Sequence, residues 1–199
     1  MMATHSAAND PAKYIDLTLG ANQASTKEIT MPTPATARIY PGGCLVEGTN
    51  LSEGRGTTQP FELIGAPWLA TDRLSATLRA RRLPGVLFRP ACFRPMFQKH
   101  AGQACSGVQL IVMDDARFRP FETFLALLGD VRAQAPEAFR WRTETYEFES
   151  ERLAIDLLLG RHDLRGRLAS GESLELLAAS WRDELEEFVR ARRPFLMYD

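Results

Sequence analysis

Apolar and polar positions follow two rhythms along this chain. Four short runs, Arg38 to Tyr40, Cys44 to Glu47, Val86 to Arg89 and Val108 to Met113, have strand length and strand composition, with glycine or proline around them. The last is apolar at nearly every position, which predicts a central strand covered on both faces. Thr143 to Phe148 alternates polar and aromatic residues and predicts an edge strand.

Helical spacing fills the intervals. Asp72 is placed to cap a short helix with Leu74 and Leu78 on one face, ended by Pro84-Gly85. Pro120 suits a first helical turn, and Phe121, Leu125 and Leu128 follow at helical spacing. A third helix spans Arg152 to Leu159 and stops at Gly160. The longest stripe is the last: Leu174, Leu177, Ala178, Trp181, Leu185 and Phe188 share one face, and Pro194 ends the helix. Strands interleaved with helices, without a strict βαβ repeat, predict an α+β fold: a single domain with a mixed β-sheet and helices packed on it.

Residues 1–30 show neither periodicity nor enough apolar surface to fold alone, so they are expected to form a disordered or loosely attached tail. Ordered structure is expected over 31–199, beginning where Met31-Pro32-Thr33-Pro34 restricts the backbone. A chain of 199 residues, 45% hydrophobic, is large enough for one sizeable core. A formal net charge of −1, with basic residues scattered, gives no electrostatic pull toward nucleic acid or an anionic membrane. The N-terminal residues lack an apolar signal region and no run reaches the length of a membrane span, so the expected location is cytoplasmic. Three cysteines, Cys44, Cys92 and Cys105, cannot all pair and are read as free thiols.

The segment Pro41 to Thr58 is unlike the rest, a short apolar run entering a loop crowded with Gly, Ser, Thr, Asn, Glu and Arg. Such loops at element ends are where ligand sites form. Glu47 and Glu53 accept hydrogen bonds, Asn50 donates and accepts, Ser52 and Thr57 offer hydroxyls, and Arg55 presents a fork suited to a carboxylate. Sugar hydroxyls together with a lactyl carboxylate fit that set. The same residues could instead pair with each other and simply hold the loop. No lysine follows a glycine here as a phosphate-binding Walker loop requires, and two carboxylates would repel phosphate. Cys92, His100 and Cys105 lack the close spacing of a zinc site, so no metal and no cofactor is expected. Lys99, His100 and Gln109 are further candidates for the same cleft.

The run Tyr40 to Thr58, continued by Pro60-Phe61-Glu62-Leu63-Ile64-Gly65-Ala66-Pro67-Trp68, resembles the signature of the NamZ-type exo-β-N-acetylmuramidases. Pro84-Gly85-Val86, Phe88-Arg89-Pro90, Lys99, Gly102, Cys105, Gly107-Val108-Gln109, Ala154-Ile155-Asp156-Leu157-Leu158 and Arg193-Pro194-Phe195-Leu196 with Tyr198 extend it from about Met31 to Asp199. The resemblance implies the C-terminal domain of a two-domain enzyme that removes terminal N-acetylmuramic acid from peptidoglycan fragments. The family's cleft lies mainly on a Rossmann-like N-terminal domain, in whose place stand about thirty unrelated residues, with Glu28-Ile29-Thr30 where Ser-Pro-Asn is usual.

Two readings follow from that implication. One is a substrate-flanking domain, inactive alone, that contacts N-acetylmuramic-acid-containing fragments through Glu47, Asn50, Ser52, Glu53, Arg55 and Thr57; its expected partner is an N-terminal catalytic domain or a second copy. The other is a free-standing muropeptide-binding or protein-interaction module. Should the chain work alone, Glu47 and Glu53 are the carboxyl pair that glycoside hydrolysis requires.

Overall fold

The computed structural model describes residues 31–146 and 148–197, and the expected N-terminal tail lies outside them. Helix α1 (Pro34–Gly43) starts where Thr33 Oγ1 accepts the Thr36 N–H at 3.1 Å and Pro34 fills the first turn. It includes the segment Arg38 to Tyr40 expected as a strand, because Ile39 points into the core and the Tyr40 ring packs edge-on against Phe61. Cys44–Gly48 continues as a 3₁₀ turn rather than the second expected strand, burying Leu45 and Val46. Tertiary packing overrides the short apolar pattern at both places.

The sheet has three strands in the order β1-β3-β2: β1 (Leu63–Ala66), β2 (Val86–Phe93) and β3 (Cys105–Val112). The α+β class holds, with both pairings antiparallel where a mixed sheet was expected. β3 is central as its apolar run predicts, with Gly107, Val108, Gln109 and Leu110 buried in succession. Gly65 and Gly107 pair across β1 and β3, and a Cβ at Gly107 would lie 2.0 Å from the Ile64 carbonyl oxygen. The expected edge strand Thr143 to Phe148 is reduced, among the described residues, to a single bridge of Tyr146 with Glu149, while Trp141 ahead of it bridges Thr49.

Helix α2 (Thr71–Ala80) packs on β2 and β3 through Leu74 and Leu78, with Ala70 rather than Asp72 at its cap position. Helix α3 (Pro120–Gln134) packs against α1 and α2 and buries Phe124, Leu125, Leu127, Leu128 and Val131. Helix α4 (Ala154–Leu159) covers the 3₁₀ turn and ends at Gly160, whose left-handed φ of 68° suits glycine. Helices α5 (Leu164–Ala169) and α6 (Leu174–Ala179) pack on α3. The last predicted helix is split in two. Ser180 Oγ donates to the Leu177 carbonyl and Trp181 turns out of helical geometry to stack edge-on against Phe121, so α7 (Arg182–Arg192) begins as a separate helix. Among the described residues no helix is long and apolar enough to cross a membrane.

Candidate functional site

The polar loop after the 3₁₀ turn is held at several points. Thr49 Oγ1 donates to the Val46 carbonyl, and Ser52 exchanges two backbone hydrogen bonds with Gly65, tying the loop to the free edge of β1. Gly54 and Gly56 take φ of +70° and +77°, which makes the reversal possible without Cβ strain. A Cβ at Gly56 would lie 2.7 Å from the Met96 Cβ, so the segment carrying Met96 to His100 is pressed onto the loop. Phe61 is also left-handed, at φ 64°, where a non-glycine residue needs support. Its N–H donates to the Glu53 carbonyl at 2.7 Å and its fully buried ring packs under Tyr40 and Arg55.

This folding brings Glu47, Glu53, Arg55 and Lys99 together. Arg55 Nε donates to Glu53 Oε1 at 2.6 Å, and a terminal nitrogen of the same guanidinium donates to Glu47 Oε1 at 3.1 Å. The guanidinium carbon stands 5.1 Å from the centre of the Phe61 ring, an added cation–π contact. Lys99 Nζ lies 2.9 Å from Glu53 Oε2 and donates to the Val46 carbonyl at 2.9 Å. Tyr146 donates its hydroxyl to Glu47 Oε2 at 3.2 Å. Two carboxylates and two cations therefore cancel within one cluster.

The two glutamates differ electrostatically. Burial pushes the Glu47 carboxyl above the usual range, and the neighbouring Glu53 charge adds to this against the opposing pull of Arg55. Burial alone would also raise Glu53, but Lys99 and Arg55 outweigh it and hold that carboxyl below the usual range. Burial depresses Lys99 in turn, although Glu53 works against it. Glu53 is almost wholly enclosed, whereas the Glu47 and Arg55 side chains each keep 11% of their surface in solvent.

The other candidates surround this cluster. Asn50 donates its amide to the Ala138 carbonyl and accepts the Arg140 N–H, fastening the loop to the chain after α3. His100 bonds to the Asn50 carbonyl oxygen at 2.8 Å. Ser52 Oγ accepts the Gly54 N–H, and Thr57 Oγ1 donates to the Gly54 carbonyl at 2.6 Å. Gln109 lies apart from the cluster, buried on β3 and bonded to Arg89. Glu62, a third acidic residue of the stretch, accepts from Thr36 Oγ1 at 2.8 Å and latches α1. Sequence reasoning placed Lys99 only near the cleft and did not connect Tyr146 with it; the 99-residue separation of Tyr146 from Glu47 leaves no local signal. Among the described residues no group of His, Cys, Asp or Glu could hold a metal ion. Burial, reinforced by the Glu47 charge, raises the Cys44 thiol to about 11, too high for a nucleophilic thiolate.

The family profile described as "Exo-beta-N-acetylmuramidase NamZ, C-terminal" matches residues 38–198. The peptidoglycan β-N-acetylmuramidase NamZ of Bacillus subtilis (strain 168) is 42% identical over 168 residues, covering 84% of this chain and 39% of that protein. Two crystal structures of DUF1343 family proteins from Bacteroides fragilis NCTC 9343 share the fold. One has a TM-score of 0.71 at 24% identity over 85% of this chain and 44% of the other; the second has 0.54 at 22%, over 84% and 43%. The chain thus spans less than half the length of each of these relatives. With the signature loop, its supporting sheet and the profile all agreeing, this chain belongs to the NamZ exo-β-N-acetylmuramidase C-terminal family.

Proposed function

We propose that this chain is the substrate-flanking C-terminal domain of a peptidoglycan glycoside hydrolase of the exo-β-N-acetylmuramidase type, and that it does not turn over substrate alone. The observation that carries this reading is the closed cluster around Arg55. Hydrolysis of a glycosidic bond needs two carboxyl groups facing each other across the sugar. Here Glu47 and Glu53 instead share one guanidinium, and Glu53 is enclosed with Lys99 as well. Such a cluster presents a rigid edge to a ligand. Glu47 and Arg55 form that edge, and Asn50, Ser52, Glu53 and Thr57 hold it in place.

The ligand class follows from the family: fragments of peptidoglycan ending in N-acetylmuramic acid, with no cofactor, in the service of cell-wall recycling. The catalytic partner is an N-terminal domain of the kind that makes up the remainder of the B. subtilis relative. Three unpaired thiols suit a reducing cytoplasm. The test is release of product from a chromogenic N-acetylmuramide. The chain alone is expected to release none, and addition of the relative's remaining portion as a separate polypeptide is expected to restore turnover. Turnover by the chain alone, lost in Glu47→Gln, would overturn the proposal and make Glu47 and Glu53 the catalytic pair.

The closed cluster is equally suited to binding without turnover, which supports a free-standing muropeptide-binding module as the second reading. Calorimetric titration with a muropeptide separates the two: saturable binding that needs no partner domain favours the module.

A further inference from the structure

Helix α7 buries none of its residues. Leu185 and Phe188 are 52% and 60% exposed, Val189 is exposed beside them, and Phe195 and Leu196 extend the patch through the following turn. Its principal contacts are with that turn alone. An isolated helix of eleven residues is marginal in water, so packing of its apolar stripe is what would sustain it. Charge is also divided along it. Asp183, Glu184, Glu186 and Glu187 occupy the first half, and Arg190, Arg192 and Arg193 the end. Part of that order suits the helix dipole. The dipole does not account for the absence of partners: Glu184 lies 4.0 Å from Arg161, while Asp183, Glu186, Glu187, Arg190, Arg192 and Arg193 have no ion pair among the described residues.

We propose that α7 and the turn after it form a self-association face, on which two copies of this chain pack antiparallel about a two-fold axis near Phe188 and Val189. An axis there sets Phe188 of one copy against Val189 of the other, closing both apolar stripes together. It also sets the acidic half of each helix beside the basic half of its mate. Glu186 and Arg193 are seven residues apart and so lie on the same flank of the stripe, which brings Glu186 of each copy beside Arg193 of the other. A parallel pair would set like charges side by side. Two-fold symmetry makes every favourable contact twice, as in isologous interfaces generally. One helix pair is smaller than the ~1,200 Å² of a standard interface, so dissociation on the order of 10–100 μM is expected.

Sedimentation equilibrium of the full chain tests this, and the inference is independent of whether the chain turns over substrate. Wild type is expected to dimerise over that concentration range, and Phe188→Asp to stay monomeric with unchanged melting, because α7 covers no part of the core. Glu186→Arg and Arg193→Glu are each expected to weaken the dimer about fivefold, and the double reversal to return it to within about twofold of wild type. A wild-type chain monomeric at several times the upper limit of about 100 μM would overturn the proposal. So would a dimer indifferent to Phe188→Asp, or a double reversal no better than the singles. A monomer that binds the remaining portion of the relative through Phe188 would assign the face to that partner and likewise overturn it.

Discussion

Glu53 and Glu47 share a cluster and play different parts in it. Glu53 is enclosed between Arg55 and Lys99, so Glu53→Gln leaves two buried cations short of a counter-charge. A loss of about 3–5 kcal/mol is expected by chemical denaturation. Glu47 reaches solvent and keeps a neutral donor, Tyr146, so Glu47→Gln is expected to cost under about 1 kcal/mol. Equal losses for the two variants would contradict this division. Their pH dependences also run in opposite directions. Glu47, raised in the fold, contributes stability that is full below the ordinary value of 4.5 and is lost as pH rises through its folded value. Glu53, depressed in the fold, contributes stability present above 4.5 and lost as pH falls through its folded value. Melting followed from neutral pH downward is therefore expected to gain from Glu47 above 4.5 and lose from Glu53 below it. Glu47→Gln should remove the gain and leave the loss. The sequence offered Glu47, Glu53 and Arg55 together because nine consecutive residues contain them. It could not say whether they faced a ligand or one another, since that depends on Lys99 and Tyr146 arriving from distant segments.

At the scale of elements, period was informative wherever one element faced one layer. β2 and β3, α2 and α3 stand where spacing and proline signals put them, within a few residues. Arg38 to Tyr40 and Cys44 to Glu47 form helical turns instead of strands because an apolar run of two or three residues fits a strand and a buried helical turn equally well. Their true state was decided by Thr33 capping α1 and by the Ile39, Leu45 and Val46 side chains reaching a common core. β1 escaped notice because Gly65 interrupts it, yet that glycine is what allows β1 and β3 to approach. Gly107→Ala would drive a methyl into the Ile64 carbonyl oxygen 2.0 Å away, a backbone contact that no rotamer relieves. A loss of about 3 kcal/mol or more is expected. Gly166 supplies the contrast: it sits inside α5 with nothing within 4 Å of a Cβ. Gly166→Ala is expected to stabilise the chain by about 0.5–1 kcal/mol, by removing the entropy that a helical glycine costs. Urea unfolding of both variants checks the pair, and a neutral Gly107→Ala would mean that the β1–β3 register is wrong.

For the whole molecule, the question is how much chain the core requires. Among the described residues every buried hydrophobic side chain lies between Ile39 and Leu177, and Thr33–Asp199 separates as a compact unit of its own. At the C-terminal side the Trp181 ring stacks on Phe121 at 5.5 Å, whereas α7 beyond it buries no residue and, among the described residues, reaches back only through the Glu184–Arg161 pair. At the N-terminal side the first structural device is the Thr33 cap, with Thr33 and Thr36 both donating to Glu62. Residues 1–30 lie outside the described structure, and the expectation from their lack of periodicity is that the core does not need them. A chain cut to residues 31–181 is therefore expected to melt cooperatively within about 3 °C of the full chain, since both cuts keep every buried hydrophobic side chain of the described residues and the Thr33 cap. Cutting three residues further, so that the chain starts at Pro34, removes the Thr33 cap and one Glu62 partner, and should lower stability by about 1–2 kcal/mol. Differential scanning calorimetry of the two lengths decides between a core that closes on itself and one that depends on its ends. Loss of cooperative melting in 31–181 would show that segments outside this span belong to the core.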